Sequence, residues 1–306
     1  MNEDKLKNND SIQKNTLSIF QIAVMTTICV ASLRTLPPMA EEGRASILMY
    51  IIPAILFLIP TSLVSAEFAT TYKGGIYVWI REAFGNRMGF VAIWLQWIQN
   101  VVWYPVQLAF VAAALAFTIN RGDLSNSGLF TAVVIIVVYW FSTFLAFKGG
   151  NLFAKVSSIG GMIGVLIPGA ILIILGLLWM AQGQPISESY LQSSYIPKIT
   201  GISSLVLIVS NVLSYAGMEM NAVHAGQMEN PKKDFTKAIA LAFILILCVF
   251  VFPTLAIAIA IPADKLGMAN GIMVAFQEFF EKLNISWMSN VMSGAMFFGA
   301  ISSVVT

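Results

Sequence analysis

The chain has 306 residues, 58% of them hydrophobic and 10% charged, with a net charge of +2. Soluble domains carry about 25% charged residues, so a soluble domain is excluded, and the apolar runs are too long and unbroken for a β-barrel. The composition predicts an all-α polytopic membrane protein, partnered first of all by the lipid bilayer.

Residues 1–14 form a polar tail of mixed charge. The hydrophobic stretch that follows has no small-residue cleavage site, so it reads as a first transmembrane helix and not as a cleaved signal peptide. Eight windows are long and apolar enough to cross a bilayer: Asn15–Leu33, Ala45–Ala66, Met88–Asn120, Leu124–Phe147, Val156–Ser187, Ile199–Met218, Ala238–Ala263 and Leu283–Thr306. The sixth is expected to run on through Glu219 to Met228, and Pro105 is expected to kink or tilt the third. With the N-terminus inside, 11 of the 17 Lys and Arg residues fall on the inner side, 5 on the outer side, and Arg34 at the end of the first span. That bias predicts a cytoplasmic N-terminus.

Two connecting stretches are expected to be helical. Tyr72–Gly85 mixes aromatic residues with charge and has glycine near both ends, as in a helix lying at the cytoplasmic interface. Met273–Leu283 spaces apolar residues among Glu278, Glu281 and Lys282, as in an amphipathic helix on the outer side. Either could equally be an ordinary connector. Cys29 and Cys248 both fall in apolar spans and are expected to be buried, inert thiols. Gly160, Gly161 and Gly164 suggest close helix contact in the fifth span.

The first span is interrupted. Val30-Ala31-Ser32-Leu33-Arg34-Thr35-Leu36-Pro37-Pro38 combines small residues, a cation and two prolines. Pro37 lacks an N–H and steers Leu36 away from helical geometry. Backbone groups freed at such a place need partners, and a bound ligand can supply them. Arg34 could hold a carboxylate through paired hydrogen bonds. It could instead reach outward or pair with Glu41 or Glu42.

The sixth span repeats the device in Ser214-Tyr215-Ala216-Gly217-Met218-Glu219-Met220-Asn221. An ionisable group at that depth costs about 2.5–3.5 kcal/mol, so Glu219 is expected to handle substrate, ions or protons, and Gly217 marks a break. A carboxyl held neutral for packing is the alternative. Interrupted helices in corresponding places of two repeats point to a transporter's binding site. His224 is the only histidine, five residues past Glu219; a structural imidazole or a pH sensor both fit it. Tyr104, beside Pro105, packs in an aromatic stripe or lines a cavity. A single histidine excludes a two-histidine zinc motif, and no Walker-type loop is present. No cofactor, metal or nucleic acid is expected, and an intramembrane enzyme lacks a credible nucleophile–base pair.

These residues resemble the amino acid–polyamine–organocation (APC) superfamily, and within it the bacterial glutamate/γ-aminobutyrate antiporters. The most specific pieces are Leu213–Glu219 with His224, then Met228-Glu229-Asn230-Pro231-Lys232-Lys233-Asp234. Ile59–Glu67 and Lys73–Trp79 also match the family style. The resemblance implies a LeuT-like inverted repeat with discontinuous helices 1 and 6, a first repeat over 15–187 and a partial second repeat over 199–306. It implies about 8 of about 12 spans, a chain shortened at its C-terminus, and partners in the missing helices or a second copy. It implies residence in the bacterial inner membrane and exchange of an amino acid for its decarboxylated product, which supports acid resistance. By position it places the unwound backbone at Cys29–Ser32 and Tyr215–Glu219. Ala31, Ser32, Tyr215, Gly217 and Met218 would then meet the substrate, Tyr104 would face it, and Glu219 would couple protons. Val30–Arg34 departs from the glycine-rich break of many relatives, which leaves Arg34 as the candidate for the substrate carboxylate. A permease for another amino acid, or a fragment that does not transport by itself, is the competing expectation.

Overall fold

The computed structural model describes residues 17–72, 75–148, 159–197, 201–218, 224–225 and 228–305. All regular structure among the described residues is helical. Six helical segments are long and apolar enough to cross a bilayer, and a pair bent by 45°, Ile19–Val30 with Leu33–Ala40, makes a seventh.

Helix α1 (Ile19–Val30) opens with a capping box: the Ser18 Oγ accepts from the Gln21 N–H at 3.2 Å, and the Gln21 side chain accepts from the Ser18 N–H at 2.9 Å. Its last backbone bond runs from the Ala31 N–H to the Thr27 carbonyl, and Ala31 and Ser32 are extended. A tight turn, Leu33–Thr35, leads into α2 (Leu36–Ala40). The second span joins α3 (Ala45–Pro53) to α4 (Ile59–Thr71) through a widened π turn, Ala54–Leu58. A second π turn, Met162–Leu166, precedes α8 (Ile167–Ala181). Both π turns are followed by Ile-Pro, at Pro60 and Pro168. Proline cannot donate to the carbonyl four residues back, so the ladder expands by one residue there.

Helix α5 (Gly75–Phe84) falls in the connecting stretch expected to be helical. Its Trp79 is buried against Phe68 and donates to the Tyr72 carbonyl at 3.0 Å. Helix α6 (Asn86–Thr118) is one continuous helix with Pro105 inside it, and α7 (Gly128–Lys148) follows. The short α9 (Glu188–Gln192) precedes α10 (Ile202–Ser214). The sixth span is not one long helix: α10 stops at Ser214, and residues 215–218 turn. Helix α11 (Pro231–Ala260) starts with Pro231 at its first position, and the Asp234 carboxylate accepts from the Asn230 N–H at 3.2 Å. The Asn-Pro-Lys-Lys-Asp motif is thus a helix start.

Helix α11 is the hub. It packs against α1, α2, α3, α4, α8 and α9, and also meets α12 (Gly271–Lys282). The latter is more than a surface connector: Met273, Phe276 and Phe279 are buried, and Phe279 meets Trp179 edge to face at 5.5 Å. The last helix, α13 (Trp287–Val305), packs along α6 and against the second π turn. The expected glycine contact is there: a Cβ added to Gly164 would lie 2.3 Å from the Gly299 Cα. Two expectations fail. Leu36 is helical (φ −70°, ψ −44°) despite Pro37 after it, because the prolines sit in the first turn of α2, where a missing N–H costs no helix bond. Cys29 is exposed and Cys248 is half-buried, because Cys29 sits in the last turn of α1, where the bundle opens at the break.

Candidate functional site: two facing helix breaks

The breaks in the first and sixth spans lie against each other. Gly217 has φ +115°, a conformation that L side chains rarely adopt. A Cβ placed on it would sit 3.6 Å from Val30 Cγ2 and 3.8 Å from the Cys29 carbonyl oxygen. The end of α1, with its Val30 side chain and Cys29 carbonyl, therefore lies against the turn that ends α10.

Three polar contacts hold α10 in this place. The Asn211 side-chain amide donates to the Met49 carbonyl, and the Tyr215 hydroxyl donates to the Tyr50 carbonyl at 3.0 Å. Tyr50 in turn shares a hydrogen bond with the Thr254 hydroxyl at 3.2 Å. The rings of Tyr50 and Phe250 stack at 5.4 Å, and Tyr215 meets Phe250 edge to face at 5.3 Å. Polar groups buried this deep are retained where every one finds a partner. Tyr50 and Thr254 were missed by sequence reasoning; a tyrosine and a threonine inside apolar spans were the available signal.

Arg34 lies just past the first break, in the turn Leu33–Thr35. Its Nε is buried and has no hydrogen-bond partner, and no carboxylate pairs with it among the described residues. The expected alternatives of pairing with Glu41 or Glu42 are therefore not seen. Arg34 is half-buried, and leaving its buried Nε without a partner is costly; an incoming anion relieves that cost.

The other expected site residues divide. Ala31 is buried and Ser32 is half-buried at the break itself. Tyr215 and Met218 are fully buried behind the turn, Tyr215 with its hydroxyl already engaged. Tyr104 is elsewhere. It lines a cavity of about 190 Å³ with Tyr139, Ser142, Thr143, Val304 and Val305, between α6, α7 and α13, and no residue of either break lines that cavity. His224 lies in a short turn beyond the break, its Nδ1 buried and without a partner. Glu219 lies outside the described residues.

The profile of the amino acid permease family matches residues 15–306. The chain belongs to that family. An uncharacterized transporter of Legionella pneumophila is 40% identical to this chain over 293 residues, which cover 95% of the chain and 63% of that protein. A glutamate/γ-aminobutyrate antiporter of Lactococcus lactis is 28% identical over 298 residues, covering 96% of the chain and 59% of that protein. An inner membrane transporter of Escherichia coli is 27% identical over 217 residues, covering 67% and 43% respectively. The chain thus spans about three fifths of the length of the first two relatives. Family and relatives are transporters by name, and the chain is a multi-pass membrane protein of all-α, APC type.

Proposed function

We propose that this chain belongs to a secondary active amino acid antiporter that binds its substrate between the two breaks. The observation that carries the reading is the buried, unpartnered Nε of Arg34, just past a break in the first span whose Cys29 carbonyl lies against Gly217 of the second break. An amino acid brings a carboxylate for Arg34 and an ammonium for the carbonyls of the α1 terminus. Ala31, Ser32 and Gly217 line this place, while Tyr215 and Met218 support it from behind. Glu219, one residue past the described turn, is assigned proton coupling, and His224 a pH-responsive role at the same end.

Exchange of glutamate for γ-aminobutyrate is the substrate pair we assign, by analogy with the Lactococcus antiporter. With a decarboxylase, such exchange consumes cytoplasmic protons and supports acid resistance. The inner membrane of a bacterium, with the N-terminus in the cytoplasm, is the matching location. The test is uptake of labelled glutamate into liposomes loaded with γ-aminobutyrate. It is made with the 306-residue chain and with the longest reading frame that contains it. Saturable uptake that falls at least about tenfold in Arg34→Ala, and loses its pH dependence in Glu219→Gln, supports the reading. Uptake untouched by either substitution refutes it.

A further inference from the structure

A polar bowl opens on the membrane face to which the first and third spans lead. It encloses about 420 Å³, within the range of small-molecule sites. Its wall comes from three places: Asn120, Asp123 and Asn126 in the turn after α6, Asn270 and Gln277 on α12, and Ser289 and Asn290 in the first turn of α13. None of these residues belongs to either break.

The chemistry of the wall narrows the ligand. Asp123 is the one ionised side chain in the lining, and Arg121 pairs with it through two hydrogen bonds of 3.0 and 2.9 Å. That leaves no free carboxylate set for a divalent cation or a diamine. No Lys or Arg lines the bowl, so phosphate and dicarboxylates find no counter-charge. Gly122 packs on the Phe117 ring, since a Cβ there would lie 3.1 Å from it, so the ring offers little face for stacking a sugar. What remains is a ring of carboxamides. Those of Asn120, Asn126 and Gln277 make no hydrogen bond within the described protein, while Asn270 spends one donor on Ser125 at 3.2 Å. Each carboxamide both donates and accepts, which suits a ligand with ammonium and carboxylate ends and no net charge.

We infer that the bowl binds a small net-neutral zwitterion, such as an amino acid with a short polar side chain. The site is separate from the paired breaks but is joined to them by one element. Helix α12 supplies Asn270 and Gln277 to the bowl, and its Gly271 rests on the broken first span, where an added Cβ would lie 2.7 Å from Pro37 Cβ. A ligand that fixes α12 therefore fixes the outer end of that span. The placement makes the bowl a capture and control site for the transport proposed above, although binding itself does not depend on that reading.

Equilibrium dialysis of the purified protein in nanodiscs against labelled L-asparagine tests the site. The expected result is saturable binding that weakens about tenfold in Gln277→Ala/Asn290→Ala and resists competition by putrescine and succinate. Asn126→Ala, an exposed position, serves where the double variant folds poorly, and is expected to weaken binding severalfold. Absence of saturable binding, or binding equal to the parent's in Asn126→Ala or a well-folded double variant, overturns the proposal. Because the assay reads binding and not flux, a failed transport reading leaves its outcome interpretable.

Discussion

Gly164 and Gly299 meet backbone to backbone: a Cβ added to either would come within 2.4 Å of the other's Cα. The π turn before Pro168 and the last helix are thereby locked in register. Gly164→Leu is expected to destabilise the bundle by about 1–3 kcal/mol through overpacking, lowering the melting temperature in detergent. Gly128→Ala, where an added Cβ meets nothing within 4 Å, is expected to leave it unchanged.

Arg34 gives a prediction in which stability and function part company. A half-buried cation with no carboxylate partner among the described residues costs the fold more than an apolar side chain of similar length. Arg34→Met is therefore expected to raise stability by about 1 kcal/mol while substrate affinity falls at least about tenfold. Parallel thermal unfolding and proteoliposome uptake measure the two. Lower stability in the variant would show that Arg34 serves the fold instead.

Tyr215 is expected to behave in the opposite way. Its hydroxyl is spent on the Tyr50 carbonyl and its ring on Phe250. Tyr215→Phe is expected to cost about 1 kcal/mol of stability, with KM for substrate within about twofold of the parent. A large rise in KM at unchanged stability would place the hydroxyl on the substrate.

Cys29 is exposed at the end of α1, and Cys248 is only half-buried on α11. A small maleimide is expected to label Cys29 several times faster than Cys248, and substrate is expected to slow that labelling because the Cys29 carbonyl faces Gly217. Mass spectrometry of the labelled peptides gives both rates.

Glu42 lies in the corner between the first two spans, and burial raises its carboxyl above the usual range; Glu41 is raised too, by burial and by the charge of Glu42. A carboxyl whose pKa is raised in the fold contributes stability at low pH that is lost as pH climbs through its folded value. Glu42→Gln is thus expected to be more stable than the parent at pH 7, with the difference closing as pH falls toward 4.5. Melting curves across that interval read the effect.

Much of this arrangement was legible in residues. Gly217 announced the second break, because glycine frees the backbone locally whatever packs around it, whereas Pro37 and Pro38 lie in the first turn of α2 and the first break falls upstream of them, at Ala31 and Ser32. The helix at α5 was suggested by its mix of aromatic and charged residues and that at α12 by its apolar spacing, each against an ordinary connector. The burial of α12 was not, since an amphipathic pattern looks alike on lipid, water or protein. Nor was the central place of α11, whose nearly uniform apolar surface carries no stripe to orient it. Tyr104 lines a cavity between α6, α7 and α13 that no residue of either break lines, a neighbourhood that its sequence context did not reveal. The π turns had a signal, Ile-Pro in each case, that reads as an ordinary helix start until the preceding turn is seen.

Arg44 has a mechanical consequence. Its N–H is held by the Ser193 hydroxyl at 2.9 Å, and its guanidinium lies 5.2 Å from the Tyr190 ring centre and 5.4 Å from that of Tyr195. Gly43, at φ +57°, lets Ser193 come this close. The corner that follows the first broken helix is thus riveted to the segment that leads into the second. Helices fastened together at one rim act as a pair of tongs: their jaws part most easily at the end away from the rivet.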